Sequence, residues 1–168
     1  PLRPDAPVTV LAGTVQPETL ICSAYQIARG HAPQALTEQA QAELLRTLLA
    51  QPRKRELEQA SFTLLFGGLS LAALTHLTRL KNARCDRYVL PQSVKENGME
   101  ETYRAAFRLA GETAAQLRAM GAGDAVLCYL LLSGQTVPVL TTMNAGELYV
   151  FFRLRCCTRA QWEIREAA

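Results

Sequence analysis

Cysteine and histidine supply many of the nucleophiles and metal ligands of proteins, and this chain has few of either. The seven residues are Cys22, Cys85, Cys128, Cys156, Cys157, His31 and His76. No Cys-x-x-Cys pair occurs, and the adjacent Cys156 and Cys157 cannot form a disulfide with each other without strain. The pattern predicts free thiols in a reducing cytoplasm and argues against a metal site.

Charge and hydropathy exclude several classes of protein. There are 18 basic and 15 acidic residues, a net charge of +3, which is too mild to indicate nucleic acid binding. No run of 18 apolar residues is present, which argues against a membrane-spanning helix. Three prolines predict a flexible lead-in over residues 1–7. The chain is 49% hydrophobic, which suits a single domain over residues 8–168.

The elements that would position a functional group form an α+β pattern, with several helices packed on a small mixed or antiparallel sheet. Three β-rich segments, Val8–Ala12, Ser61–Phe66 and Val137–Met143, predict strands. Gly67-Gly68 is expected to break the second strand, and the polar segment from Arg79 to Pro91 is expected to be irregular.

Residues with known capping preferences mark several helix ends. Thr37 and Asn144 are placed to cap the segments that follow them, and Gly121 is placed to end a long amphipathic helix. The apolar face of that helix runs from Tyr103 to Met120. Together with Phe151-Phe152, this face exceeds what one small domain can easily cover, which predicts an oligomer.

The last third of the chain carries the most specific motifs. It contains Thr142-Met143-Asn144-Ala145-Gly146-Glu147-Leu148, then Phe151-Phe152-Arg153-Leu154-Arg155, then Ala160-Gln161-Trp162-Glu163-Ile164-Arg165. These runs resemble the C-terminal signature of flavin-dependent thymidylate synthases, Thr-Met-Asn-Ala-Arg-Glu-Leu, Phe-Phe-x-Leu-Arg and Ala-Gln-Trp-Glu-Ile-Arg. Earlier stretches that resemble the family in the same order are Val8–Ala12, Leu57–Thr63 and Gly68–Lys81.

The resemblance implies an α+β fold assembled as a homotetramer, with FAD between subunits. It implies transfer of a methylene group from methylenetetrahydrofolate to dUMP, with hydride from flavin that NADPH has reduced. By the same resemblance, the candidate cofactor-binding residues are Arg79, Lys81, Asn144 and Thr63, and the candidate substrate-binding residues are Arg87 and Arg155.

The chain departs from the family at several of these positions. Arg79-Leu80-Lys81 replaces the family's Arg-His-Arg, and the loop that leads to Arg87-Tyr88 is shorter than in the family. Leucine cannot donate a hydrogen bond, and lysine lacks the planar fork of arginine. Further exchanges of charged or polar groups fall at Gln59, Cys128, Leu130–Leu132, Gly146 and Val150. The set is interpreted as a binding pocket filled by apolar side chains.

Some retained residues have a second interpretation. Asn144 is explained equally well as a helix cap. Arg155 could form a purely structural ion pair with Glu147 or Glu163. Cys85 has arginines nearby that could lower its thiol pKa, but no base is positioned to make it a nucleophile.

These departures predict a family homologue whose usual activity has been lost or altered. Three alternatives remain open. One is a catalyst with changed chemistry that still binds flavin or nucleotide, and another is a working thymidylate synthase. The third is an inactive structural or interaction subunit that partners an intact relative, since the family's sites are shared between subunits.

Overall fold

The computed structural model of the chain describes residues 8–74 and 87–168. The lead-in predicted for residues 1–7 lies outside them. The described residues cluster into two compact units, one formed by residues 8–67 with 139–168 and the other by residues 68–74 with 87–138. Within the described residues, no helix combines the length and the hydropathy that a membrane crossing requires.

Helices and strands are mixed, as the α+β prediction requires. The strands are β1 (Val8–Gly13), β2 (Ser61–Ser70), β3 (Arg87–Tyr88) and β4 (Gln135–Asn144), in the sheet order β1-β2-β4-β3. The described α-helices are α1 (Pro17–Ala28), α2 (Glu38–Ala50), α3 (Leu71–Leu74), α4 (Gln92–Glu96), α5 (Glu100–Ala119), α6 (Asp124–Leu127), α7 (Ala145–Arg155) and α8 (Trp162–Ala167). Two 3-10 helices cover Arg55–Gln59 and Cys128–Leu130.

In the first unit, β1 pairs antiparallel with β2, and a bulge falls between Val10 and Ala12. The apolar faces of α1, α2 and the first 3-10 helix pack together because each presents leucine or isoleucine at helical spacing. Their buried centre consists of Ile21, Leu48, Leu57 and Ala60. The predicted cap of α2 is confirmed, since the Thr37 hydroxyl accepts the Ala40 N–H at 3.3 Å.

In the second unit, β3 pairs antiparallel with the start of β4, with Arg87 opposite Thr136. Helix α5 ends as predicted before Gly121, which adopts a φ of +88° that favours glycine. No residue of α5 is fully buried. Its predicted apolar face is therefore only partly covered, and Met120 at its end is 81% exposed.

Two local predictions are wrong. Gly67-Gly68 does not break β2, which continues to Ser70. Neither glycine has a positive φ, and a Cβ added at Gly68 would make only ordinary contacts with the side chain of Thr136. The strand pairing therefore prevails over the weak local preference of glycine. Arg87-Tyr88 was expected to be irregular but forms β3 for the same reason.

Candidate functional site

The six predicted binding residues do not all fall within the described structure. Arg79 and Lys81 lie outside the described residues, as does Cys85. Thr63, Asn144 and Arg155 belong to the first unit, whereas Arg87 belongs to the second.

Thr63 lies on β2, and its hydroxyl is 2.9 Å from that of Thr142 on β4. Thr142 is the first residue of the Thr-Met-Asn motif. The two hydroxyls therefore satisfy each other across the sheet of the first unit. A hydroxyl has one donor and two acceptor positions, so each threonine keeps capacity for a further hydrogen bond.

Asn144 lies at the junction of β4 and α7 and forms a complete capping box with Glu147. The Glu147 N–H donates to Asn144 Oδ1 at 2.8 Å, and the Asn144 N–H donates to Glu147 Oε2 at 2.8 Å. The capping interpretation of Asn144 is thus confirmed. The box uses the side-chain oxygen of Asn144, and the two N–H donors of its amide are not part of it.

Gly146 is the second residue of α7 and lies against the first 3-10 helix. A Cβ added there would be 3.1 Å from Asn144 Oδ1, 3.7 Å from Leu57 Cβ and 3.9 Å from Glu58 Cγ. The family resemblance expects an arginine at this position. Because glycine has no side chain, position 146 places no cation beside the cap.

Arg155 is the last residue of α7 and is half-buried. A cation in the last turn of a helix interacts favourably with the helix dipole. Of its two proposed ion-pair partners, Glu147 already has Oε2 in the capping box. The other, Glu163, is 7% exposed and accepts a hydrogen bond from Gln161 Nε2 at 2.9 Å.

Gln161 has a structural role that the sequence analysis did not identify. Its Oε1 accepts the Ile164 N–H at 3.0 Å, so Gln161 caps α8. Ile164 is fully buried, and Trp162 is half-buried. A glutamine three residues before a buried isoleucine was the available signal. The Ala-Gln-Trp-Glu-Ile run thus builds and anchors the last described helix.

Arg87 lies on a short strand that α5 holds in place. Tyr88 stacks on Phe107 with ring centroids 4.2 Å apart, and the Tyr103 hydroxyl donates to the Val89 carbonyl at 3.0 Å. The Arg87 side chain is exposed, and among the described residues it has no hydrogen-bond or ion-pair partner.

Arg104 supports this strand from α5 and was not predicted. Its guanidinium donates to Glu100 Oε1 at 2.7 Å and to the Tyr88 hydroxyl at 3.3 Å. These hydrogen bonds, first that to Glu100 and then that to Tyr88, raise the pKa of Arg104 above its ordinary value. The tyrosine next to Arg87 is thus fixed both by ring stacking and by a cation.

Several of the exchanged residues lie at the surface of the described chain, and the filling of a pocket by the whole set stays a prediction. Val150 is 52% exposed, Leu131 is 42% exposed, and Cys128 is exposed. Cys128 Sγ donates to the Ala125 carbonyl at 3.1 Å. No group of three or more potential metal ligands occurs in residues 8–74 and 87–168.

The described structure is that of a mixed α/β protein whose most specific motif forms a capped strand-to-helix junction. A family model described as "Thymidylate synthase complementing protein" matches residues 9–168. The chain therefore belongs to this family, as the resemblance predicted.

Individual relatives agree with this assignment. The chain is 36% identical over 130 residues to the flavin-dependent thymidylate synthase of Geobacter sulfurreducens, covering 67% of this chain and 55% of that protein. It is 34% identical over 126 residues to the enzyme of the same name from Sulfolobus acidocaldarius, covering 67% and 48%. Over 197 aligned residues it is 26% identical to that of Clostridium tetani, covering 96% and 78%. The chain spans about half the length of several of the curated relatives that it matches.

Proposed function

We propose that this chain is a flavin-dependent thymidylate synthase homologue in which the usual reaction has been lost or altered. That reaction transfers a methylene group from methylenetetrahydrofolate to dUMP, uses FAD and NADPH, and yields dTMP. The observation that carries the proposal is the junction of β4 and α7. The capping residues Asn144 and Glu147 are kept there, whereas glycine stands at 146 in place of the expected arginine.

The missing cations matter for the binding free energy because FAD and dUMP carry negatively charged phosphate groups. A hydrogen bond to a charged group contributes about 1.5–3 kcal/mol, and micromolar affinity corresponds to about 8 kcal/mol. Loss of the arginine at 146 and of the Arg-His-Arg motif would remove a large share of that free energy. Lys81 keeps a charge but cannot form the two parallel hydrogen bonds of an arginine.

In the first unit, the Thr63 hydroxyl and the Asn144 side-chain oxygen already make internal hydrogen bonds, which leaves fewer of their groups for a cofactor. We therefore assign no catalytic step to flavin, NADPH or methylenetetrahydrofolate. Arg87 and Arg155 are the residues proposed to keep contact with a nucleotide phosphate, while Arg79, Lys81, Asn144 and Thr63 are proposed as weakened cofactor contacts.

The absorbance spectrum of the purified chain with added FAD tests this proposal. We expect a colourless protein after removal of free flavin and no tritium release from labelled dUMP. Gly146→Arg is the matched variant, and it should increase FAD retention if the missing cation is the cause. A yellow protein that retains FAD and releases tritium from labelled dUMP would refute the loss of activity.

The alternative function is that of an inactive subunit in a homotetramer or in a mixed oligomer with an intact relative. The apolar residues exposed on α7 favour it, since Val150, Phe152 and Leu154 are 52%, 45% and 57% exposed. We place this assembly in the cytoplasm and propose no contact with nucleic acid or membrane. Native mass spectrometry of the chain alone and co-expressed with an intact flavin-dependent thymidylate synthase should detect the oligomer. A monomer in both samples would exclude this alternative.

A further inference from the structure

Two adjacent thiols end α7. Cys156 follows the last residue of the helix, and its N–H donates to the Phe152 carbonyl at 3.0 Å. Cys157 lies in the following bend, and its carbonyl accepts the Ala160 N–H at 3.0 Å. Both cysteines are free and exposed. The only hydrogen bond given by either sulfur in the described structure is a weak one from Cys157 Sγ to the Leu154 carbonyl at 3.8 Å.

The spacing of these cysteines favours a bridging atom over a disulfide. Neighbouring Cα atoms are about 3.8 Å apart, whereas disulfides usually join Cα atoms about 4.4–6.8 Å apart. A direct S–S bond between Cys156 and Cys157 would therefore be strained. A bridging ion separates the sulfurs by two bonds of about 2.3 Å each, as in zinc–thiolate sites, and so relieves part of this strain.

The number of ligands restricts which ion can bind. No third His, Cys, Asp or Glu joins the pair to make a metal-binding group in the part of the chain that the structure describes. Structural zinc requires four ligands, so this pair is a poor zinc site. Soft thiolates select Cu(I), and trivalent arsenic also bonds strongly to paired thiols.

We propose that Cys156 and Cys157 form a two-thiolate site for a soft, thiophilic ligand, which is either Cu(I) or a trivalent arsenical. Binding of Cu(I) replaces two thiol protons, which are released to solvent. An arsenic(III) oxide, R–As=O, reacts with the two thiols to form two As–S bonds and one water, with no change of oxidation state. The site does not depend on the function proposed above.

Phenylarsine oxide and intact mass spectrometry provide the first test. The native chain should gain one phenylarsenic group that survives excess glutathione and is removed by dithiothreitol, because only a second thiol on the same reagent competes with the chelate. Cys156→Ser and Cys157→Ser should each lose the glutathione-resistant adduct. Cys128→Ser is the matched control, since Cys128 is also exposed but stands alone, and it should keep the adduct. Cys85→Ser should keep it as well.

Peptide mapping of the adduct makes the outcome independent of how the variants fold. Attachment to the peptide that contains residues 156 and 157 supports the site. An adduct at Cys85 or Cys128, or one that glutathione removes from the native chain, would overturn it. Anaerobic titration with Cu(I) shows which of the two ligands the site binds. Competition between Cu(I) and the arsenical indicates a site for soft ions in general. Binding of the arsenical without binding of Cu(I) indicates a site for arsenic(III) alone.

Discussion

Replacement of Asn144 by alanine tests whether the family motif has a scaffold role in this chain. The change removes the Oδ1 acceptor of the Glu147 N–H at 2.8 Å and disrupts the reciprocal hydrogen bond of the capping box. Loss of such a cap costs about 1 kcal/mol, within a range of about 0.5–2 kcal/mol. For a chain of 168 residues, a loss of 1 kcal/mol corresponds to a decrease in melting temperature of about 2–4 °C.

Differential scanning calorimetry measures this change, and Asn144→Ser is the matched control. Serine also accepts a hydrogen bond from a helix N terminus, so it should preserve most of the stability that alanine loses. If serine destabilises as much as alanine, the amide N–H groups of Asn144 contribute and the cap is not the main role. If neither variant changes the melting temperature, the capping explanation is refuted.

Three further predictions concern packing and thiol chemistry. Gly134→Ala should lower the free energy of unfolding by about 1–3 kcal/mol, because the new Cβ would collide with the Tyr103 hydroxyl. Gly111→Ala should raise it by about 0.5–1 kcal/mol, because Gly111 lies inside α5 and a Cβ there would meet no other atom within 4 Å. Urea unfolding measures both changes. Arg104→Ala should lower the melting temperature less than Gly134→Ala despite the raised pKa of Arg104, because solvent reaches both side chains of its ion pair, which are 43% and 45% exposed; an equal or larger decrease would contradict this. Burial, with a smaller contribution from a nearby glutamate, raises the pKa of Cys22 above its ordinary value of 9.0, so iodoacetamide at pH 8 should modify Cys22 last among the described cysteines, as read by peptide mass spectrometry. Because the thiol binds its proton more tightly in the folded chain than in the unfolded chain, this group should stabilise the fold at pH values below 9.0 and lose that stabilising effect as the pH rises above 9.0. Labelling of Cys22 before the exposed cysteines would contradict its burial.

Local signals were sufficient for the family motifs and for several helix ends. Thr37 and Asn144 were predicted as caps and are caps, because a cap requires only a suitable side chain three residues before a free N–H. Gly121 ends α5 with a positive φ, which is likewise a property of one residue. The quoted runs also sufficed to predict the family that residues 9–168 match.

Contacts between distant residues could not be derived in the same way. The hydroxyls of Thr63 and Thr142 meet although 79 positions separate them, and this pairing exists only because β2 and β4 are neighbours in the sheet. Strand pairing also carries β2 through Gly67-Gly68 and makes a strand of Arg87-Tyr88, since hydrogen bonds to a neighbouring strand outweigh weak local preferences.

The candidate site shows the same division. Residue types alone predicted that cations and hydrogen-bond donors of the family are exchanged in this chain, for example at Gly146. Only the tertiary structure decided that Val150 is exposed to solvent and that Asn144 Oδ1 is used by the cap. The physical reason is that a sequence specifies which groups are available, whereas burial and hydrogen-bond partners depend on which segments the fold brings together.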